Sequence, residues 1–104
     1  MSPSKVIRDD VVLLTDLPNI GKSLAGDLQV IGIKRPAELR GRDPYEMYAT
    51  LCEITAQRHD PCVIDVFISV TRFVAGEAPT VWWAFTDERK RTLLTRSAQR
   101  NAPR

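Results

Sequence analysis

Apolar residues at 24, 25, 28 and 31 recur at three- and four-residue spacing, which predicts a helix over residues 22–31. Gly32 follows as its left-handed stop. Before it, "DVVLLTD" at 10–16 reads either as a strand, from the Val-Val-Leu-Leu run, or as a short helix capped by Asp9 or Asp10. Pro18 and Gly21 leave no room for a conventional strand hairpin, which favours the helix. "PAELR" at 36–40 predicts one short helical turn opened by proline. "DPYEMYATLCEI" opens a longer helix, with Asp43 as cap, Pro44 first, Glu46 three residues after the cap, and Tyr45, Met47, Tyr48, Leu51 and Cys52 on its apolar side. "HDPCVIDVFISVTRFVAG" repeats that grammar, with Asp60 as cap, Pro61 first and Gly76 last. Its residues are apolar on nearly every side, which predicts a helix over 61–75 buried at the centre of the domain. "EAPTVWWAF" reads as extended and irregular, and a last helix restarts at a Thr86 cap with acids in its first turn. The expected fold is all-α: a compact bundle of five or six short helices with no sheet.

Composition changes this picture little. The chain has 104 residues, 43% hydrophobic and 27% charged, enough for one domain with a real core. The expected organisation is a flexible N-terminus at 1–9, a single domain at 10–91, and a basic helix end or tail at 92–104. No apolar run reaches the roughly 20 residues that span a bilayer, and "MSPSKVIRDD" has no signal-peptide core, so the expectation is a cytoplasmic protein without membrane contact. The net charge of +2 conceals an asymmetry. Residues 86–104 hold six basic and two acidic side chains, leaving nine basic and eleven acidic in 1–85. The body is therefore not a basic surface in itself.

Local chemistry is concentrated in "LPNIGKSLAGDL" at 17–28. A turn of about three residues joining two short helices exposes the first backbone N–H groups of the second. Those donors and the positive end of the helix dipole suit one phosphate. Gly21 holds nothing in a phosphate's way, Asn19 tolerates a positive φ, and Lys22 and Ser23 add a charge and a hydroxyl. Such a contact reads no base. "KRPAELRGR" supplies Lys34, Arg35, Arg40 and Arg42 against Glu38 alone.

The pattern of an apolar residue, Pro18, a small residue, an aliphatic residue, Gly21, and then Ala25 and Leu28 resembles the helix-hairpin-helix motif of DNA repair and recombination proteins. The resemblance continues through "LPNIGKSLAGDLQVIGIKRPAELRGRDPYEMYATLCE", "HDPCVIDVF" and "WWAFTDE". Over about residues 10–91 the chain is similar to a small bacterial family of stand-alone helix-hairpin-helix proteins, described as pathogenicity-locus or mitomycin-resistance-like. Typical DNA-binding hairpins carry glycine where Asn19 stands. The resemblance implies a helix-hairpin-helix at 10–31 and a non-enzymatic protein that grips the DNA backbone without sequence preference, in repair or recombination. Asn19, Ile20, Gly21, Lys22 and Ser23 would form the contact, with Lys34, Arg35, Arg40 and Arg42 around it. A second reading keeps the hairpin as scaffold in a protein-interaction or homodimerisation module.

Other candidates give way to simpler readings. Cys52, His59 and Cys62 lack a paired C-x2-C and a fourth ligand, so they read as two buried thiols and a surface or capping histidine, with no metal. A lone histidine supplies no acid–base pair, and no nucleotide loop or nucleophile motif occurs, so neither enzyme activity nor a cofactor is expected. Asp65 interrupts the apolar helix and is expected to pair with an arginine inside the fold. Trp82 and Trp83 read as a lid on the bundle, with a stacking platform for bases as the alternative.

Overall fold

Asp43-Pro44 and Asp60-Pro61 both start helices, and for the same reason. Each aspartate carboxylate accepts a backbone N–H two residues on, from Tyr45 and Cys62, at 2.8 Å. Pro44 takes the first position of α2, where its missing N–H costs nothing, whereas Pro61 stands one residue before α3, at its N-cap. The computed structural model describes residues 3–101, with side chains through residue 97. Four α-helices are present: α1 (Lys22–Val30), α2 (Pro44–Thr55), α3 (Cys62–Val74) and α4 (Thr86–Asn101). Single 3-10 turns lie at Pro3–Lys5, Arg8–Asp10, Leu14–Asp16, Pro36–Leu39 and Trp82–Phe85. Among the described residues there is no strand.

The central element is α3, in which every residue from 64 to 71 is buried. Phe67, Ile68 and Val70 fill the middle, and Met47 and Leu51 of α2 are fully buried with them. Leu14, Leu17, Ile20, Ala25, Leu28, Ile31, Ile33 and Leu39 complete the core from the N-terminal side. The hydroxyl side chains of α3 find acceptors within the helix: Ser69 Oγ donates to the carbonyl of Val66 and Thr71 Oγ1 to that of Phe67. Buried hydroxyls are thereby satisfied without water.

Three helices end alike. At α1 the N–H of Gly32 donates to Gln29 O at 3.0 Å and that of Ile33 to Leu28 O at 2.9 Å, with Gly32 at φ +89°. At α3 Gly76 and Glu77 bond back to Phe73 and Arg72 in the same pattern. At α2 the left-handed position is held by Ala56, at φ 51°. The glycine stops at 32 and 76 stand where the sequence puts them.

Several expectations need correction. Residues 10–16 form neither a strand nor a helix capped by Asp9 or Asp10. Two separate 3-10 turns flank Val11, because the carboxylate of Asp16 accepts the N–H of Val12 at 3.0 Å and of Leu13 at 2.8 Å and so competes with helix continuation. The stretch read as irregular contains the 3-10 turn Trp82–Phe85. Thr86 does not cap α4; its hydroxyl turns to Asp65. Cys52 and Cys62 are free but only partly buried, since Cys62 lies in the first turn of α3 and Cys52 borders a surface cleft. The segment read as a flexible lead-in carries two 3-10 turns, and Arg8 ties it to the end of α3.

Candidate functional site

The turn before α1 owes its shape to Asn19. Its φ of 68° is left-handed, which asparagine tolerates better than most side chains. Its amide points inward: Nδ2 donates to Ser69 Oγ at 3.0 Å and to the carbonyl of Thr80 at 2.8 Å. Asn19 thus fastens the turn both to α3 and to the segment leading into Trp82. Gly21 has ordinary extended geometry, so its value is space. A Cβ built there meets nothing within 4 Å.

The first intrahelical bond of α1 runs from Ala25 N–H to Gly21 O at 2.9 Å. The N–H groups of Lys22, Ser23 and Leu24 therefore have no acceptor inside the helix. No side chain caps this end and no carboxylate stands in its first turn. Gly21, Lys22 and Ser23 are exposed. Of the residues expected to meet DNA, Ile20 is the exception at the tip: its side chain is in the core and its N–H is spent on Leu17 O.

Lys34, Arg35, Arg40 and Arg42 are exposed, but they follow the C-terminal end of α1 whereas Lys22 begins it. Nine residues at a rise of about 1.5 Å make α1 roughly 13 Å long. Glu38 also reaches back to accept the N–H of Lys34 at 2.9 Å.

A groove of about 600 Å³ borders the turn. Its walls come from Val6, Ile7 and Val11 on one side, from Pro18, Asn19 and Gly21 on another, and from Trp82 and Trp83. Trp82 packs against the core, while Trp83 is 60% exposed and meets it edge-to-face, with ring centroids 5.5 Å apart. Trp82 is the one of the pair that serves as the lid, and Trp83 faces outward. A second cleft of about 630 Å³ lies between α2 and α4, bordered by Tyr45, Tyr48, Cys52, Arg58 and Leu93.

The cysteines and histidine offer little chemistry. The Cys62 thiol is pushed up in pKa, first by its hydrogen bond with Asp60 and then by burial, which keeps it protonated and a poor nucleophile or ligand. His59 accepts the Tyr48 hydroxyl on its carbonyl and places Nε2 2.9 Å from Thr55 Oγ1. Among the described residues no three His, Cys, Asp or Glu side chains gather as a metal site. Asp65 pairs with Arg89, as its position in the apolar helix predicts, at 2.8 Å. No local pattern signals the inward hydrogen bonds of Asn19, because its partners lie 50 and 61 residues away.

The family model described as "Cdd1: Pathogenicity locus" matches residues 7–91, most of the chain, including all of α1, α2 and α3. The chain belongs to the pathogenicity locus family. A curated relative of this pathogenicity locus protein, the mitomycin resistance protein McrB of Streptomyces lavendulae, is 42% identical over 80 residues, covering 77% of this chain and 76% of that protein. No solved structure matches. Among the described residues of this family member, no helix is long and apolar enough to cross a membrane.

Proposed function

We propose that this pathogenicity locus protein is a non-enzymatic DNA-binding protein that contacts the phosphate backbone through a helix-hairpin-helix at residues 10–31, without reading base sequence. The observation that carries this reading is the open N-terminus of α1, with exposed Gly21, Lys22 and Ser23, no side-chain cap and no carboxylate in the first turn. Asn19 supports it as well, because its side chain turns away from the space a phosphate would take. In this reading the 3-10 turn Leu14–Asp16 is the shortened first arm of the hairpin. Asn19 shapes the turn, Gly21 to Ser23 offer donors, and Lys34, Arg35, Arg40 and Arg42 meet phosphates farther along the strand. The name of the Streptomyces relative extends the proposal to a contribution to mitomycin resistance.

With two to four phosphates engaged, affinity should lie on the order of 10⁻⁴–10⁻⁶ M, and the log–log salt slope should be about −2 to −4. A duplex titration at several salt concentrations tests this. Lys22→Glu should weaken binding and flatten the slope by about 1 or more, with thermal stability unchanged because Lys22 is exposed. Absence of binding at low salt, or an unaffected Lys22→Glu variant, refutes the proposal. One observation favours the second reading, a protein-interaction module: Ile7, Val12 and Leu13 form an exposed apolar rim near the groove. That reading predicts concentration-dependent mass and no salt-sensitive DNA affinity.

A further inference from the structure

Trp83 is the feature of the groove that the fold does not need. Its neighbour Trp82 supplies the packing against the core, and Trp83 leaves 60% of its surface to solvent. The edge-to-face contact at an interplanar angle of 87° sets the orientation of the ring, so its free surface is held ready rather than folded away. Asn19 and Gly21 form part of the wall of the same groove. The bond from Asn19 Nδ2 to Thr80 O ties that wall to the segment bearing the two tryptophans, which fixes the spacing between the indole and the start of α1. Lys5 lines the groove together with Asp10 and Asp16, and Lys22 follows Gly21 in the chain.

We propose that this groove takes an unpaired nucleobase of a single-stranded nucleic acid, stacked on Trp83, with the adjoining phosphate at the start of α1. The inference deepens the phosphate-binding reading above and rests on it. In a duplex both faces of each base are covered by neighbouring pairs, so an indole set beside a backbone contact gains nothing there. An unpaired base has a free π-face, and stacking on it tolerates any base. The occupant is then a strand end, a gap or a loop, and the protein prefers unpaired nucleotides to duplex.

The full chain is titrated at low salt with labelled oligo-dT, oligo-rU, a duplex of equal length, and an abasic deoxyribose-phosphate strand that keeps the charge and lacks the bases. Tighter binding of either base-bearing single strand than of duplex and abasic strand supports the proposal, and the tighter of the two identifies the sugar. Trp83→Ala should lose about five- to a hundredfold in single-strand affinity while its duplex affinity and melting temperature stay as they were. Trp83→Phe, which keeps a ring, should retain most of the single-strand affinity and guards against a misfolded alanine variant. Equal affinity for oligo-dT, oligo-rU and the abasic strand overturns the proposal; duplex binding that still depends on Lys22 would leave the phosphate reading standing. Loss of all nucleic-acid binding removes both. Self-association abolished by Trp83→Ala, with no single-strand preference, overturns the proposal and assigns the groove to a second copy of the chain.

Discussion

At the scale of single residues, the fold depends most on a carboxylate. Asp65 is fully buried and receives three hydrogen bonds, from Thr86 Oγ1 at 2.8 Å, Arg89 Nε at 2.8 Å and Arg89 Nη2 at 3.4 Å. The pair raises the pKa of Arg89, chiefly through the hydrogen bond to Asp65, so the cation persists in its buried position. Asp65→Asn would leave that guanidinium buried without its counter-charge and should cost about 3–5 kcal/mol in a urea unfolding titration. A loss under 1 kcal/mol would mean that Arg89 swings out to water. The carboxylate was legible in the sequence because a charge inside an apolar helix has few ways to be satisfied. Asn19 was only half legible. Its left-handed backbone follows from asparagine's tolerance of positive φ in a tight turn, whereas its inward amide depends on Ser69 and Thr80, which no local pattern connects to it.

At the scale of elements, punctuation was the readable part. Aspartate-proline pairs opened α2 and α3 as expected, and Gly32 and Gly76 closed α1 and α3, since each signal acts within a turn of its own position. The end of α2 escaped notice because a non-glycine residue, Ala56, takes the left-handed position. An alanine there carries strain that glycine lacks. Ala56→Gly should therefore raise stability by about 0.5–1 kcal/mol, read as a shift in the denaturation midpoint at constant slope. A decrease would show that unfolded-chain entropy outweighs relief at the turn. The segment before α1 was misread for the opposite reason. Val11 to Leu14 look periodic enough for a helix or strand, but Asp16 claims the N–H groups that either would need.

At the scale of the whole molecule, the charge asymmetry of the sequence becomes a shape. The described molecule measures 48 × 26 × 21 Å, with a radius of gyration of 14.0 Å against about 13 Å for a chain of this length. Residues 93–97 of α4 are all exposed, and Arg96 ties that stretch to the start of α2 through Asp43 Oδ2, at 3.3 Å, and the face of the Tyr45 ring. Stability of the whole should respond to acid through turns at its surface. Backbone hydrogen bonds hold Asp16 and Asp60 below the usual carboxylate range, from Leu13 first and Val12 second for the former, and from Cys62 for the latter. Their contribution is complete above the ordinary aspartate range and fades as pH falls below it. Melting temperatures between pH 6 and 2.5 should decline on the acid side, and Asp16→Asn with Asp60→Asn should flatten that decline; an unchanged profile would exclude these turns as its source. The attachment of Arg8 also acts over the whole chain. Its guanidinium bonds the carbonyl oxygens of Phe73 and Glu77 and lies 4.1 Å from the centre of the Phe73 ring, so the negative end of the central helix is closed by a residue 65 positions upstream. A chain trimmed to begin at residue 9 would keep all four α-helices and lose the plug at the foot of its main pillar. Trimming is thus better stopped at Ile7, where the family match also starts.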